Sequence, residues 1–354
     1  MKKSLLALAV LGAYAGVASA QSSVTLYGTL DVNGRYVKAD GQKKRLSEAT
    51  DGINSSQLGF RGVEDLGGGL RAGFTLLAGH NPDAGTSNSK FWNRRSTVSL
   101  FGGFGEIRLG RDYTPTFWNL TIFDAFGTNG LGASTIPRQL YGGTRQDNTI
   151  GYFLPANLGG FYGQAMVGAS EGGASGDAPA RYVGARFGFA AGPFDVAVAG
   201  ASLKYATAFA RNTVAGGGLA GGIVTALPGD SQKTFNIGGA WDFGFFKLLG
   251  YYDQDKLRGA KEKMGSISGV IPFGQSEVHV GYDRSKYTNT GINTTVDMIK
   301  ATYQYNLSKR TAMYTTASRL DNKDGTRYTL PGASGLTSAS GNSTGIEFGI
   351  RHFF

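Results

Sequence analysis

The two-residue spacing of polar and apolar side chains constrains the fold of this chain more than any other feature. In one run, for example, Val278, Val280 and Tyr282 alternate with Glu277 and His279. A period of two residues places the two sets on opposite faces of a β-strand. Such runs recur along the chain and give about sixteen strands, with lengths near those of tilted membrane-crossing strands. The sequence therefore predicts an all-β protein.

The connections between these runs are predicted to alternate in length. Short turns such as EDLGGG, PANLGG and NLSKR follow every second run. Longer polar or glycine-rich connections lie between them, near 170–180, 207–231, 257–262, 287–294 and 321–343. A membrane barrel has brief turns at one rim and long loops at the other, whereas a soluble sandwich has no reason to sort its loops in this way. We therefore expect a transmembrane antiparallel up-and-down β-barrel of about sixteen strands, wide enough for an aqueous channel.

The first twenty residues are typical of an export signal. Lys2 and Lys3 precede an apolar stretch, and Ala-Ser-Ala at 18–20 forms a small-residue cleavage site. This pattern predicts a secretory signal peptide over residues 1–20 that is removed in the mature protein. Residues 21–354 contain no linker or shift in composition, which predicts one barrel domain.

Composition excludes several other classes of protein. The chain has no cysteine, so neither a disulfide framework nor a thiolate metal site can form. Its 57 glycines, 17 tyrosines and 22 phenylalanines favour strands, turns and aromatic girdles over helices. The formal net charge of +10 comes from scattered basic residues in an exported chain, so we expect no nucleic-acid partner.

One connection between predicted strands, residues 113–147, is much longer than the others. It lies between the strand-like segments GEIRLGRDY and NTIGYFLP, and it far exceeds the 2–5 residues usual for a hairpin loop. Its large apolar residues are Phe117, Trp118, Leu120, Ile122, Phe123 and Phe126. A segment this apolar does not stay solvated, so we expect it to pack inside the barrel.

Several sequence segments, in this order and spacing, together resemble those of a known protein family over essentially the whole chain. They are SVTLYGTLD, LGFRGVEDLGGGLRAGF, RRSTVSL followed by GGFGEIRLGRD, NLSKRTAMY and the terminal GIRHFF. The chain resembles the general porins of the Gram-negative outer membrane, of the β-proteobacterial type. The resemblance implies a homotrimer of sixteen-stranded barrels in contact with outer-membrane lipid and lipopolysaccharide. It also implies a third external loop folded into each lumen, and a terminal Phe354 that serves recognition by the barrel-assembly machinery.

The resemblance also implies a pore constriction. The 113–147 connection corresponds to the constriction loop, and the family's wall arginines match Arg94 and Arg145. Gln57 stands where relatives commonly carry arginine, and Leu77 stands where they carry an acid. These two departures weaken the ion selectivity that the resemblance predicts.

On the loop itself, Asp124 is the candidate for acidic lining and Arg138 a basic addition. Each assignment has an alternative: Asp124 could cap a turn within the loop, and Arg145 could anchor the end of the loop. Arg94 could form an interface salt bridge, because the alternation around it does not settle which face it occupies.

The two-residue alternation along the first two strands places further polar residues on the luminal face. Gln57 and Arg61 alternate with an apolar set, and Asp31 and Arg35 do the same in the first strand. A charge facing hydrocarbon is unfavourable, so charged residues on barrel strands should face water, loops or partners. We therefore expect these four residues to line the lumen.

Together these features predict a passive channel for small hydrophilic solutes and ions, weakly anion-selective, in which Arg94 and Arg145 face Asp124 across the lumen. Opposed charges there create a transverse field that orients ions and dipolar solutes. Two alternatives remain open: a substrate-specific outer-membrane channel, and a non-conducting structural or adhesive barrel.

The sequence does not favour an enzyme. A triad-type hydrolase needs a histidine beside a nucleophile, and the three histidines are far apart in the chain. His279, beside Glu277 and Asp283, is the one local candidate. Walker, zinc and EF-hand patterns are missing from the sequence, so we expect no cofactor.

Overall fold

The barrel wall consists of sixteen long antiparallel strands. The computed structural model describes residues 23–140, 143–169, 179–211, 224–333 and 340–354, so the predicted signal peptide lies outside the described residues. The wall strands are β1 (Ser23–Ala39), β2 (Gln57–Gly67), β3 (Leu70–Asn81), β4 (Arg95–Gly102), β5 (Gly105–Tyr113), β6 (Arg145–Phe153), β7 (Phe161–Ala169), β8 (Pro179–Ala191), β9 (Phe194–Tyr205), β10 (Ser231–Asp242), β11 (Lys247–Leu257), β12 (Ala260–Phe273), β13 (Ser276–Asn289), β14 (Ile292–Asn306), β15 (Thr311–Lys323) and β16 (Asn342–Phe353).

The sheet closes on itself through its first and last strands. β1 pairs with β2 on one side and with β16 on the other, with Asp31 opposite Arg351. The backbone N–H of Gly28 donates to the Phe354 carbonyl at 3.0 Å, and the N–H of Phe354 donates back to Gly28 at 3.1 Å. Closure pairs the backbone groups that an open edge would expose, as a bilayer interior requires. The predicted antiparallel up-and-down barrel is confirmed.

The two faces of the wall differ in polarity. On β10, Phe235 and Ile237 are 47% and 41% exposed, whereas the intervening Thr234 and Asn236 are buried. Exposed and buried residues alternate on the neighbouring strands as well, and their buried acids, such as Asp253, Asp255 and Glu262, lie on the same face as Asn236. The apolar face is therefore the outer, lipid-facing side of the barrel, and the polar face is the inner side.

The structure corrects the predicted lengths of two connections. We expected long connections near 257–262 and 287–294, but Leu257 pairs with Ala260 and Asn289 pairs with Ile292 across two-residue turns. Arg258 and Gly259 both have positive φ, 49° and 82°, which is the backbone of a tight hairpin turn. The strict alternation of short and long connections is therefore wrong at these two positions.

Four shorter strands lie in the parts of the connections that the structure describes. Arg45–Thr50 pairs with β1 between Val32 and Val37. Thr86–Ser87 pairs with the end of β3. Phe209–Arg211 and Val224–Ala226 pair with each other beyond β9.

In the connection between β5 and β6, the described residues, 114–140 and 143–144, pack on the inner face of the wall and are here termed the inner loop. It begins with helix α1 (Pro115–Ile122), where the Thr114 hydroxyl accepts from the Phe117 N–H at 3.3 Å and Pro115 occupies the first turn. A 3-10 turn follows at Gly130–Gly132. Asn119 of α1 donates to the Ala197 carbonyl of β9 and to Asn236 of β10, at 3.1 and 3.0 Å. In the part of the chain that the structure describes, no helix is long and apolar enough to cross a membrane.

Candidate pore-lining site

A cavity of about 670 Å³ lies between the inner loop and the wall formed by β2 to β6. Its lining includes Gln57, Leu77, Arg94, Arg95, Tyr113 and Arg145 on the wall, together with Phe117, Trp118 and Thr121 of α1. The lining contains three arginines and, among the described residues, no carboxylate. Arg94, Arg95 and Arg145 are here termed the arginine trio.

The phenol of Tyr113 holds the trio together. Arg94 and Arg145 both donate to its hydroxyl oxygen, at 3.3 and 3.1 Å. The guanidinium carbons of Arg145 and Arg95 lie 4.5 and 5.4 Å from the centre of its ring. An aromatic face attracts cations, so one tyrosine at the end of β5 gathers three positive charges on one side of the cavity.

The charges of the trio are balanced to different degrees. Arg95 donates to the buried Asp112 at 2.7 Å, and Arg94 lies 3.9 Å from the partly exposed Asp51. Within the described residues, Arg145 has no carboxylate within 4.0 Å. The cavity therefore carries an excess of positive charge, and Arg145 is its least compensated member.

Three of the predicted constriction residues, Gln57, Arg94 and Arg145, border this cavity together. Leu77 lies beside them and adds no acidic group. The prediction from sequence overlooked Arg95. The exposed Val98 marks the outer face of β4, so Arg95, which shares the face of the buried Thr97 and Ser99, points inward.

Arg138 lies elsewhere, as a buried anchor of the inner loop. Its guanidinium donates to Asp253 and, at 2.6 Å, to Asp255, both on β11. Burial lowers the pKa of Arg138, but the two carboxylates more than offset this effect, so its pKa lies above the usual range. The next two backbone N–H groups donate to Glu262 of β12 at 2.6–3.0 Å. These bonds fix the end of the loop to the wall opposite the trio.

Asp124 does not lie across from Arg94 and Arg145, where the sequence predicted it. Its carboxylate is buried 3.5 Å from the amine of Lys300, which also pairs with Asp283 at 2.8 Å. One oxygen accepts from the Phe126 N–H at 3.0 Å, which is the turn-capping alternative raised from the sequence. Asp124 borders a second, smaller cavity of about 350 Å³ together with Glu277, His279 and Arg351.

The remaining predicted residues lie on the inner face but not at the trio. Asp31 accepts from the backbone N–H groups of residues 52–54 at 2.7–3.0 Å, which folds that segment against β1. Arg35 is buried and donates to Glu347 at 2.9 Å. Arg61 is exposed and lies over an aromatic ring on β1.

The fold and this site define a class of protein. A closed antiparallel barrel with an apolar outer face and a polar inner face, which holds a loop beside an arginine-lined cavity, is a transmembrane channel barrel of the outer-membrane type. In the described residues, no group of His, Cys, Asp and Glu side chains is arranged to hold a metal ion.

The chain belongs to the Gram-negative porin family, whose model matches residues 7–325. It is 37% identical to outer membrane porin protein 32 of Delftia acidovorans and 28% identical to an outer membrane porin protein of Bordetella pertussis, in each case over all of both chains. The resemblance identified from sequence motifs is therefore confirmed, and the protein is an outer-membrane porin.

Solved structures agree with this assignment. The chain resembles the structure described as an anion-selective porin from Comamonas acidovorans, with a TM-score of 0.79 and 34% identity over 94% of this chain and all of that one. OmpT of Vibrio cholerae has the same fold, with a TM-score of 0.69 at 16% identity over 96% of this chain and 99% of that one.

Proposed function

We propose that the barrel is a water-filled channel for passive diffusion of small hydrophilic solutes and ions across the outer membrane, with a weak preference for anions. The main support is the arginine trio, which lines the cavity beside the inner loop without a carboxylate among the described lining residues. The anion selectivity ascribed to the similar Comamonas porin supports the same preference.

The mechanism follows from the position of the charges. The inner loop occupies part of the lumen and so narrows the path beside the trio. A positive potential there raises the local concentration of anions and lowers that of cations. Asp51 and Asp112 lie close to two of the three arginines and reduce the net charge, so we expect a weak preference. Apolar solutes are disfavoured because they must displace ordered water from a polar, charged passage.

Export and assembly complete the proposal. Residues 1–20 would act as a cleaved signal, and residues 21–354 would form a single domain whose 113–147 segment is the constriction loop. Following the family resemblance, three copies would associate in outer-membrane lipid. Phe354 would present the end of β16 to the barrel-assembly machinery before it pairs with Gly28. The channel would use no cofactor and catalyse no reaction.

Solute flux through reconstituted protein tests this function. Residues 21–354, refolded in detergent and inserted into liposomes, should admit neutral sugars at rates that fall with sugar size and rise linearly with concentration. In planar bilayers the same protein should give stepwise conductance increases. Saturating flux for one solute would replace the proposal with a substrate-specific channel. A correctly folded barrel that conducts nothing would leave the structural or adhesive alternative.

A further inference from the structure

The connection between β1 and β2 ends in a short segment, residues 51–56, that packs against the inner face of β1. The buried carboxylate of Asp31 accepts from the backbone N–H groups of residues 52–54 at 2.7–3.0 Å. The same carboxylate also accepts from the hydroxyl of Tyr314 on β15. A buried carboxylate is costly unless its oxygens are hydrogen-bonded, so the four donors are held in one arrangement. Asp31 therefore fixes the path of the 51–56 segment.

The first residue of the segment, Asp51, uses its two carboxylate oxygens for different contacts. Its backbone has a φ of 63°, a left-handed conformation that aspartate adopts more readily than most other residues with a Cβ. Its Oδ1 accepts from the Ser56 N–H at 2.6 Å and from the Thr50 hydroxyl at 3.2 Å, which closes the segment on itself. Its Oδ2 lies 3.9 Å from the guanidinium of Arg94. One oxygen thus holds the shape of the segment, and the other faces the arginine trio.

The inner loop holds the segment from the other side. The hydroxyl of Ser55 donates to the side-chain oxygen of Asn129 at 2.7 Å. Gly130 has a φ of 56°, and a Cβ atom there would lie 2.2 Å from the carbonyl oxygen of Gly52. The two backbones are therefore in direct contact, at a position where only glycine fits. The segment is fixed between the wall and the inner loop.

This position brings the segment to the charges of the passage. Asn54 and Ser55 line the trio cavity. Among the described residues, no carboxylate other than that of Asp51 lies within 4.0 Å of the Arg94 guanidinium. The counter-ion of Arg94 therefore comes from a connection between strands rather than from the wall. Its distance from Arg94 depends on the contacts that hold the segment in place.

We propose that Asp31 is a positioning residue for ion selectivity, an inference that rests on the proposed channel function. Asp31 holds the 51–56 segment, which keeps Asp51 beside Arg94 and so limits the positive charge of the trio. Asp31 is fully buried and is not part of the lining of the trio cavity, so it acts through the segment. When the segment is released, Arg94 loses its counter-ion and the passage attracts anions more strongly.

A double-mutant cycle on the zero-current potential, measured in planar bilayers near 0.1 M KCl, tests this proposal. Asp51→Asn keeps an oxygen for the Ser56 N–H and removes one unit charge, so the anion-to-cation permeability ratio should rise by about threefold. Asp31→Asn replaces one of the two accepting oxygens with an amide group that cannot accept. The segment should then be released, and the ratio should rise by up to the same factor. The double variant should match Asp51→Asn alone, because Asp31 acts through Asp51.

Asp230→Asn is the matched control, because it removes the same charge from an arginine pair outside the trio cavity; it should shift the ratio less than Asp51→Asn does. An unchanged ratio in Asp51→Asn would overturn the proposal. A double variant whose shift equals the product of the two single shifts would also overturn it, since Asp31 would then act through its own charge. If Asp31→Asn does not fold, Ser55→Ala tests the same step without a change of charge: the ratio should rise, and an unchanged ratio would contradict the positioning role. These failures occur in conducting channels, whereas failure of the channel proposal would appear as an unmodified protein that conducts nothing.

Discussion

The two sides of the lumen use arginine in opposite ways. Arg138 is fully buried, and its guanidinium donates to Asp253 and Asp255. Arg145 borders an open cavity and, in the described residues, has no carboxylate within 4.0 Å. A cation enclosed by carboxylates exerts little field at a distance, whereas an uncompensated charge beside water attracts counter-ions. Arg138 therefore positions the inner loop, and the trio sets the potential of the passage.

The acids of the wall explain why the contrast arises. Away from the trio, carboxylates of the wall are occupied by the inner loop: Glu262 accepts from the backbone at residues 139–140, and Glu347 accepts from the Leu131 N–H at 3.3 Å. Asp283 pairs with the buried Lys300. Acids that hold the loop are thus removed from the water-filled path, while the trio remains in it. The proposed anion preference depends on this division of charge.

The largest effect is expected from Arg138→Ala, a change on the anchored side. It leaves Asp253 and Asp255 buried without their guanidinium, so the free energy of unfolding should fall by about 3–5 kcal/mol. Chemical denaturation in detergent, followed by tryptophan fluorescence, measures this loss. The released loop should also raise the single-channel conductance.

A surface arginine provides the control for this variant. Arg258 lies 3.3 Å from Asp230 at the external rim and is partly exposed, so Arg258→Ala should cost no more than about 1 kcal/mol. If both variants lost the same stability, Arg138 would not be the anchor that its contacts indicate.

The next largest effect should come from Arg145→Glu, which inverts a charge on the open side. A unit charge acting over about 6 Å through water contributes about 0.7 kcal/mol, so reversal changes the energy of each ion by about 1.4 kcal/mol, with opposite sign for anion and cation. Salt at about 0.1 M roughly halves these energies, so the anion-to-cation permeability ratio should fall by about tenfold. The zero-current potential across a KCl gradient gives this ratio. Arg61→Glu, on the inner face but outside the trio cavity, should shift it less. A shift as large for Arg61 as for Arg145 would contradict a local role for the trio.

Of the three predicted changes Arg138→Ala, Arg145→Glu and Asp124→Asn, the last should have the smallest effect. Asp124 is buried beside Lys300, and that lysine keeps Asp283 at 2.8 Å. We therefore expect the permeability ratio to change by less than about twofold, because a paired, buried charge contributes little to the passage. A change that matched Arg145→Glu would return Asp124 to the acidic lining predicted from the sequence.

The sequence was sufficient for the barrel but not for all its turns. Alternation identifies strands where one face meets lipid and the other meets water, as at Phe235 and Asn236. Above the lipid, both faces are polar, and Lys256 and Lys261 on the outer face look like loop residues. The two-residue turn at 258–259 was therefore predicted as a longer connection.

The site was predictable only in part, for a similar reason. The family resemblance located Gln57, Arg94 and Arg145, and all three border one cavity. Arg138 and Asp253 are 115 residues apart in the chain, so no local pattern shows that they meet. If Val98 had been assigned to the lipid-facing side of β4, the alternation would have placed Arg95 on the inward face.

The zero-current potential of the unmodified protein, measured in planar bilayers across a KCl gradient, tests the division of charge most directly. We expect a potential whose sign shows chloride preference. This potential should shrink as the salt rises from about 0.1 M to about 1 M, because the Debye length falls from about 10 Å to about 3 Å. A potential with the sign of potassium preference would contradict the division of charge, since it would mean that wall acids rather than the trio control the passage.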